Sequence, residues 1–149
     1  MQHLGMFSSI LIAAVILVAV TVLVHAAGFY LVLRTLMKPR AVALMESWSV
    51  TWLLIRLAWF LILIHAAEIT VWALFYLWEG CLPDAESAFY FSGVTYTSVG
   101  YGDLLLSEPW RMLAPVEALT GILMCGLSAA LFFAVLTKIH ASRLEAQSK

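Results

Sequence analysis

Three long apolar stretches constrain the fold of this chain more than any other feature of its sequence. Residues 4–33 contain no Asp, Glu, Lys or Arg, and residues 48–78 and 112–137 contain only three such residues between them. Each stretch exceeds the about 20 residues that cross the hydrocarbon core as an α-helix. With 64% hydrophobic and 11% charged residues, the composition excludes an ordinary soluble domain. The sequence therefore predicts an all-α membrane protein with three transmembrane helices.

Basic residues are distributed unevenly around these stretches. The connection after the first stretch and the tail after the third carry most of them: Arg34, Lys38, Arg40, Lys138, Arg143 and Lys149. The opposite side holds only Arg111. Because basic residues favour the cytoplasmic side, we predict a multi-pass protein of the plasma or inner membrane. Its N-terminus is expected outside and its C-terminus in the cytoplasm.

A shorter segment separates the second and third apolar stretches. Asp84 suits the N-cap position of a helix, and Glu86 suits the first turn, where the helix dipole favours a negative charge. A helix over 84–96 is too short to cross the bilayer, so we predict that it is re-entrant. Non-helical backbone at membrane depth must be buried in protein or line a wet cavity. The residues after this helix should therefore lie in such a place.

The loop after the short helix consists of Thr97, Ser98, Val99, Gly100, Tyr101, Gly102 and Asp103. Successive carbonyls of one strand face the same side only if ordinary and mirror-image dihedral angles alternate, and Gly100 and Gly102 permit the mirror-image angles. Val99 and Tyr101 are then expected to point away from the carbonyls and pack against the protein behind. The hydroxyl of Ser98 adds an oxygen at the inner end. Stacked oxygens of this kind can replace the water around a cation.

This loop resembles the selectivity filter of potassium channels, and the chain around it resembles their minimal pore module. The resemblance implies a module over 48–142, with an outer helix at 48–79, a pore helix at 84–96, a filter at 97–103 and an inner helix at 109–140. The remaining parts are an additional transmembrane helix at 1–37, a cytoplasmic connection at 38–47 and a short cytoplasmic tail at 143–149. Asp103 lies at the filter mouth.

The resemblance also implies how the chain assembles and what it binds. Four copies of the filter strand must surround one axis, so the expected form is a homotetramer in a lipid bilayer. Permeant K+ at the filter is the only metal ion expected, with no other cofactor and no nucleic-acid partner. A regulatory subunit is an open alternative. We expect no enzymatic activity, because no nucleophile is clustered with a base.

The sequence departs from the family's pattern near the filter. Ser98 stands where the family usually has Thr, which keeps the hydroxyl and loses a methyl group. Val94 stands where some members carry a carboxylate that braces the filter. We expect aromatic packing around the filter from Tyr90, Phe91 and Tyr101.

Glu68 and Glu117 are candidates to replace the missing brace, because both lie in the outer halves of their helices. Ionisable residues inside a membrane span are costly and usually functional. The two carboxyls can meet each other or reach the hydroxyls of Ser92, Thr95 or Tyr96. Two interpretations stay open: a pH-sensitive brace in which the carboxyls share a proton, and a permanently satisfied buried hydrogen bond. His65, three residues before Glu68, is placed to pair with it.

The last apolar stretch carries the candidate gating residues. Gly121 and Gly126 are expected to let the helix bend and pack closely, with Gly121 at the spacing of the family's hinge glycine. Residues at helical spacing form one face that we expect to line the cavity: Ile122, Cys125, Ala129 and Phe133. Phe133 is the candidate for a hydrophobic constriction, and ordinary helix packing is the alternative for the whole face.

The leading hypothesis is a channel that conducts K+ passively. Arg56 is alone in its helix, so we expect no voltage sensor, and the few residues after the last span suggest no cytoplasmic ligand domain. One alternative is a non-conducting or weakly selective accessory subunit of a channel. A less favoured alternative is an electron-transfer protein that holds haem between His25 and His65.

Overall fold

The computed structural model describes residues 2–36 and 47–147, and in this part of the chain every regular element is helical. The elements are α1 (Gln2–Leu36), α2 (Ser47–Trp78), α3 (Ala85–Tyr96), a 3₁₀ turn (Glu108–Trp110) and α4 (Leu113–Gln147). Three segments are long and apolar enough to span a membrane: Gly5–Thr35, Trp48–Trp78 and Glu108–Ala141. The predicted all-α membrane fold with three transmembrane helices is confirmed. The predicted connection at 38–47 lies, except for its last residue, outside the described residues.

Two of the three long helices, α2 and α4, pack against the short one. Helix α1 contacts both α2 and α4, and α3 packs against α2 and α4. One apolar core, which includes Trp72, Tyr76 and Leu113, lies where α2 ends and α4 begins. A second core, which includes Leu57 and Val135, lies toward the opposite ends of these helices. The filter loop follows α3, at the end of the bundle that holds the first core.

Helix α3 begins where the sequence predicts. The side chain of Asp84 accepts a hydrogen bond from the backbone N–H of Ser87 at 2.8 Å, so Asp84 is the N-cap. This bond satisfies one of the backbone donors that a helix start leaves unpaired. The cap therefore fixes where the short helix starts.

The last helix differs from its predicted boundaries of 109–140. The 3₁₀ turn around Pro109 comes first, and α4 then runs from Leu113 to Gln147, which includes most of the predicted tail. Pro115 consequently lies in the first turn of α4, where a missing N–H leaves no intrahelical bond broken. Pro115 therefore does not interrupt the hydrogen bonds of α4.

Candidate functional site

The filter loop has an alternating backbone. Ser98, Gly100 and Gly102 have φ values of 60°, 51° and 75°, whereas no positive φ occurs at Val99 or Tyr101. The two glycines adopt this left-handed conformation without steric cost, and Ser98 is the one non-glycine residue of the described chain that does so. The alternation of φ expected at Gly100 and Gly102 thus begins two residues earlier, at Ser98.

The loop is attached to the C-terminal end of α3 by backbone hydrogen bonds. The N–H of Ser98 donates to the carbonyl of Thr95 at 2.9 Å, and the N–H of Gly100 donates to the carbonyl of Val94 at 3.0 Å. Thr97 is the C-cap of α3 and donates to the carbonyl of Gly93 at 3.2 Å. The position of the loop therefore depends directly on the position of the end of α3.

The aromatic residues around the filter divide into two groups. Phe91 is buried, and its ring meets the ring of Tyr76 edge-on with 5.4 Å between centroids. Tyr101 and Val99 are 71% and 53% exposed in the single chain, so they do not pack against their own subunit as expected. Tyr90 is also partly exposed and reaches Asp103 with its hydroxyl. Within one chain, Tyr90, Phe91 and Tyr101 do not form the aromatic packing that is expected around the filter.

Tyr90 and Asp103 form a contact at the end of the filter. The Tyr90 hydroxyl donates to Oδ2 of Asp103 at 2.7 Å. This hydrogen bond lowers the pKa of Asp103, because it stabilises the ionised carboxylate. The same bond raises the pKa of Tyr90, because the hydroxyl must keep its proton to donate. Asp103 therefore places a negative charge next to the candidate ion pathway.

A buried polar cluster surrounds Glu68, whose side chain is fully buried. Oε1 lies 2.7 Å from Nδ1 of His25, and Oε2 lies 3.0 Å from Nδ1 of His65. The hydroxyl of Tyr96 also donates to Oε2. Nε2 of His65 lies 3.0 Å from the hydroxyl of Ser128. The four α-helices of the described chain each contribute to this cluster.

Glu117 has a separate set of partners. The Tyr76 hydroxyl donates to one carboxyl oxygen at 2.7 Å, and the Ser92 hydroxyl lies 2.5 Å from the other. Ser92 is also 3.0 Å from the carbonyl of Ile69. Among the described residues no hydrogen bond joins Glu117 to Glu68, so the geometry does not support a shared proton. The two carboxyls hold α3 at different points, Ser92 and Tyr96.

The third candidate hydroxyl, that of Thr95, is buried but bonds neither carboxyl group in the described structure.

Gly121 lies against the backbone of Tyr96, where an added Cβ would overlap the carbonyl oxygen. At Gly126 an added Cβ would meet nothing within 4 Å. The two predicted hinge residues therefore have different surroundings, and close approach gives a direct reason for glycine only at Gly121.

The predicted cavity face of α4 is exposed along its length. Ile122 and Phe133 are 57% and 67% exposed, and Cys125 and Ala129 lie between them in the exposed class. The opposite face, which includes Glu117 and Ser128, packs against the other helices. The four predicted residues therefore share a face that makes little contact with the other helices of the described chain.

Three residues of the Glu68 cluster could hold a metal ion. One ligand atom each from His25, His65 and Glu68 lies within 4.8 Å of the others. The carboxyl group is already within hydrogen-bond distance of both rings, and His65 has partners at both nitrogens. A haem iron between His25 and His65 would require His65 to give up one of these bonds. The geometry thus counts against the haem hypothesis.

Sequence reasoning missed part of this polar network. It paired His65 with Glu68 and brought His25 near His65 only as a haem ligand, not as a partner of Glu68. It did not place Ser128 in the cluster, and it gave Tyr76 no role. His25 did carry a signal, because it is the one histidine in a span without Asp, Glu, Lys or Arg. Tyr76 and Ser128 carried none, because hydroxyl residues are common on transmembrane helix faces.

Comparison with known proteins identifies one family. A family model described as an ion channel matches residues 60–138, which is more than half of the chain. The match begins in α2 and ends in α4, so it includes α3 and the filter loop but not α1. No curated protein and no solved structure matches the sequence significantly.

Proposed function

Because this chain belongs to the ion channel family and conducts ions passively across a membrane, we propose that the conducted ion is K+. The observation that carries the proposal is the alternation of φ at Ser98, Gly100 and Gly102. Alternating handedness turns successive carbonyls toward one side, and K+ filters use carbonyl oxygens to replace the ion's hydration shell. No charged side chain occurs from Thr97 to Gly102, so backbone oxygens are the ligands that this loop offers.

A ring of carbonyls requires several copies of the loop, and we assign four. The exposed side chains of Val99 and Tyr101 support contacts between copies, because a single chain leaves both uncovered. An open cavity of about 320 Å³ lies beside the filter, lined largely by apolar residues of α3, the loop after the filter and α4. We infer that a neighbouring copy covers these surfaces and that the exposed face of α4 lines a common cavity.

The charge distribution supports an orientation for this assembly. The end of the bundle with the filter carries the acidic residues Glu79, Asp84, Glu86, Asp103 and Glu108, whereas Lys138 and Arg34 lie toward the opposite end. Since basic residues favour the cytoplasm, we infer that the filter mouth and the N-terminus face outward. The protein is then a multi-pass protein of the plasma or inner membrane.

Flux measurements in liposomes test the permeant ion. Purified protein is reconstituted with opposed K+ and Na+ gradients, and the expected result is K+ flux that Ba2+ blocks and Na+ does not share. Equal Na+ flux would refute K+ selectivity. Absence of flux under every condition would favour the accessory-subunit alternative.

A matched pair of variants tests the role of the loop backbone. Gly102→Ala places a side chain at a positive φ, and its Cβ meets nothing within 4 Å in the described part of the same chain, so within one chain its effect reports backbone conformation. Gly93→Ala, inside α3, also meets nothing within 4 Å and has no positive φ. We expect K+ selectivity to be lost in Gly102→Ala and kept in Gly93→Ala. Equal selectivity in both variants would contradict a carbonyl-lined filter.

Subunit mixing tests the tetramer. If one Gly102→Ala copy abolishes the selectivity of any assembly that contains it, the K+ flux that excludes Na+ should fall in mixed reconstitutions as the fourth power of the wild-type fraction. A linear fall would show that each chain conducts alone.

A further inference from the structure

Helix α1 lies outside the matched channel region, yet it contributes a side chain to the support of the filter. His25 of α1 contacts Glu68 of α2, and Glu68 accepts a hydrogen bond from Tyr96, the last residue of α3. Tyr96 directly precedes Thr97 in the chain. A continuous path of two side-chain contacts therefore joins α1 to the start of the filter.

The cluster lies between the two apolar cores. Along α1, His25 falls between Leu17 of the first core and Val32 of the second. Along α2, Glu68 falls between Trp72 of the first core and Ile64 of the second. A buried carboxyl group at such a place is costly unless its oxygens are hydrogen-bonded. Its partners therefore determine its orientation.

Resting on the K+ conduction proposed above, we propose that His25 is a positioning residue for the selectivity filter. Nδ1 of His25 holds Oε1 of Glu68 at 2.7 Å. The other oxygen, Oε2, is thereby directed to the Tyr96 hydroxyl. The additional helix α1 thus helps to set ion selectivity without lining the ion pathway.

The way the loop is attached explains how this effect reaches the filter. The carbonyls of Val94 and Thr95 accept the backbone N–H groups of Gly100 and Ser98. A rotation of the end of α3 would move both acceptors and hence the filter strand. The Tyr96 hydroxyl resists such a rotation because Glu68 holds it, and Glu68 is held in turn by His25 and His65.

The surroundings of His25 favour this role over simple packing. The side chain is 3% exposed, and its Nε2 atom is buried with no hydrogen-bond partner among the residues that the structure describes. Its ring also packs near Phe29, with centroids 4.3 Å apart. An apolar residue would fill the same place without burying an unpaired nitrogen. The contact with Glu68 is the polar interaction that a histidine adds here.

Three variants separate positioning from packing. His25→Leu keeps an apolar side chain of moderate size and removes the bond to Glu68. His25→Asn places an amide donor near the position of Nδ1. Thr21→Val is the matched control, because Thr21 of α1 makes another buried contact with α2, accepting from Nε1 of Trp72 at 3.0 Å. The Thr21→Val variant loosens the contact between α1 and α2 but leaves the Glu68 cluster intact.

Selectivity is the first measurement. We expect the K+/Na+ permeability ratio to fall about tenfold in His25→Leu, to recover partly in His25→Asn and to stay at the wild-type value in Thr21→Val. An unchanged ratio in His25→Leu, or an equal fall in Thr21→Val, would overturn the proposal. If His25→Leu does not assemble, Tyr96→Phe removes the other end of the same path and should lower the ratio similarly.

Amide hydrogen exchange at Ser98 and Gly100 is a second measurement that does not depend on conduction. Exchange at these amides should be faster in His25→Leu than in wild type and unchanged in Thr21→Val. Equal exchange in all three proteins would overturn the positioning role. Non-selective wild-type flux, with the exchange difference still present, would refute K+ selectivity and leave the contact path supported. The two proposals can therefore fail separately.

Discussion

Gly121 of α4 lies directly against the backbone carbonyl of Tyr96 at the end of α3. A Cβ at position 121 would overlap the carbonyl oxygen and lie 2.9 Å from the carbonyl carbon and 3.1 Å from Cγ of Tyr96. The last helix thus touches the residue that precedes the filter through a position where only hydrogen fits. Any bending of α4 at this glycine would act on the same residue that Glu68 holds.

Gly121→Ala should destabilise the assembly, because backbone atoms of Tyr96 cannot move aside as a flexible side chain can. We expect a loss of about 1–3 kcal/mol in the free energy of unfolding, measured by denaturation in detergent. Gly126→Ala is the control, because its added Cβ meets nothing within 4 Å. Equal stability of the two variants would show that the approach of α4 to Tyr96 is looser than described.

Tyr76→Phe should weaken the contact between α2 and Glu117 of α4, the carboxyl group that also contacts Ser92 of α3. The variant removes the 2.7 Å bond to the buried carboxyl group and leaves one oxygen without that donor. A loss of about 1–3 kcal/mol is expected from the same denaturation measurement. Tyr30→Phe, at a residue that is 65% exposed, should change stability by less than about 0.5 kcal/mol. A similar small effect at Tyr76 would mean that Ser92 alone satisfies Glu117.

Tyr90→Phe should change how conduction responds to acid. The wild-type bond lowers the pKa of Asp103. The stability that this bond contributes is therefore fully present above the ordinary pKa of Asp and is lost as the pH falls through the lowered pKa. The same bond raises the pKa of Tyr90, so at alkaline pH the hydrogen bond is lost only as the pH rises through the raised pKa of Tyr90. The contact should therefore persist between about pH 4 and pH 10.

In Tyr90→Phe the pKa of Asp103 should return toward its ordinary value. Conductance at low K+ concentration should then decline at a higher pH on acidification than it does in wild type. Asp103→Asn, which cannot titrate, should show no such decline. An identical acid response in wild type and Tyr90→Phe would contradict the role given to this hydrogen bond.

A thiol reagent should reduce conduction through Cys125. Cys125 is exposed on the α4 face assigned to the cavity, whereas Cys81 is buried. Burial raises the pKa of Cys81 to about 11, which leaves little reactive thiolate near neutral pH. A charged methanethiosulfonate should lower K+ flux in wild type and in Cys81→Ser but not in Cys125→Ser. Unchanged flux in the treated wild-type protein would place this face of α4 away from the ion pathway.

Helices whose formation depends on length and local chemistry could be predicted from the sequence. The apolar stretches are too long for any element but a transmembrane helix, and the N-cap at Asp84 is a local signal that the structure reproduces. The start of α4 was less predictable, because Pro109 fits both a helix start and a 3₁₀ turn. The predicted start of α4 at residue 109 and the observed start at Leu113 differ by only a few residues and by little free energy.

Contacts between distant residues were harder to predict. Glu68 was recognised as a costly buried charge, and His65 could be placed beside it because the two are three residues apart on one helix. His25 lies 43 residues before Glu68, and no local pattern fixes which face of α1 meets α2. The exposure of Val99 and Tyr101 has a different reason under the proposed tetramer, in which their packing partners belong to a neighbouring copy.

The pairing of His25 with Glu68 also bears on how the protein is made in the membrane. Helix α1 is synthesised before α2, so the imidazole ring of His25 has no carboxyl partner until α2 follows. Placing either side chain alone in hydrocarbon is costly, whereas a hairpin of α1 and α2 inserts with both already joined. Biogenesis of the pore would then start with this hairpin, before α3 and the loop after it have left the ribosome.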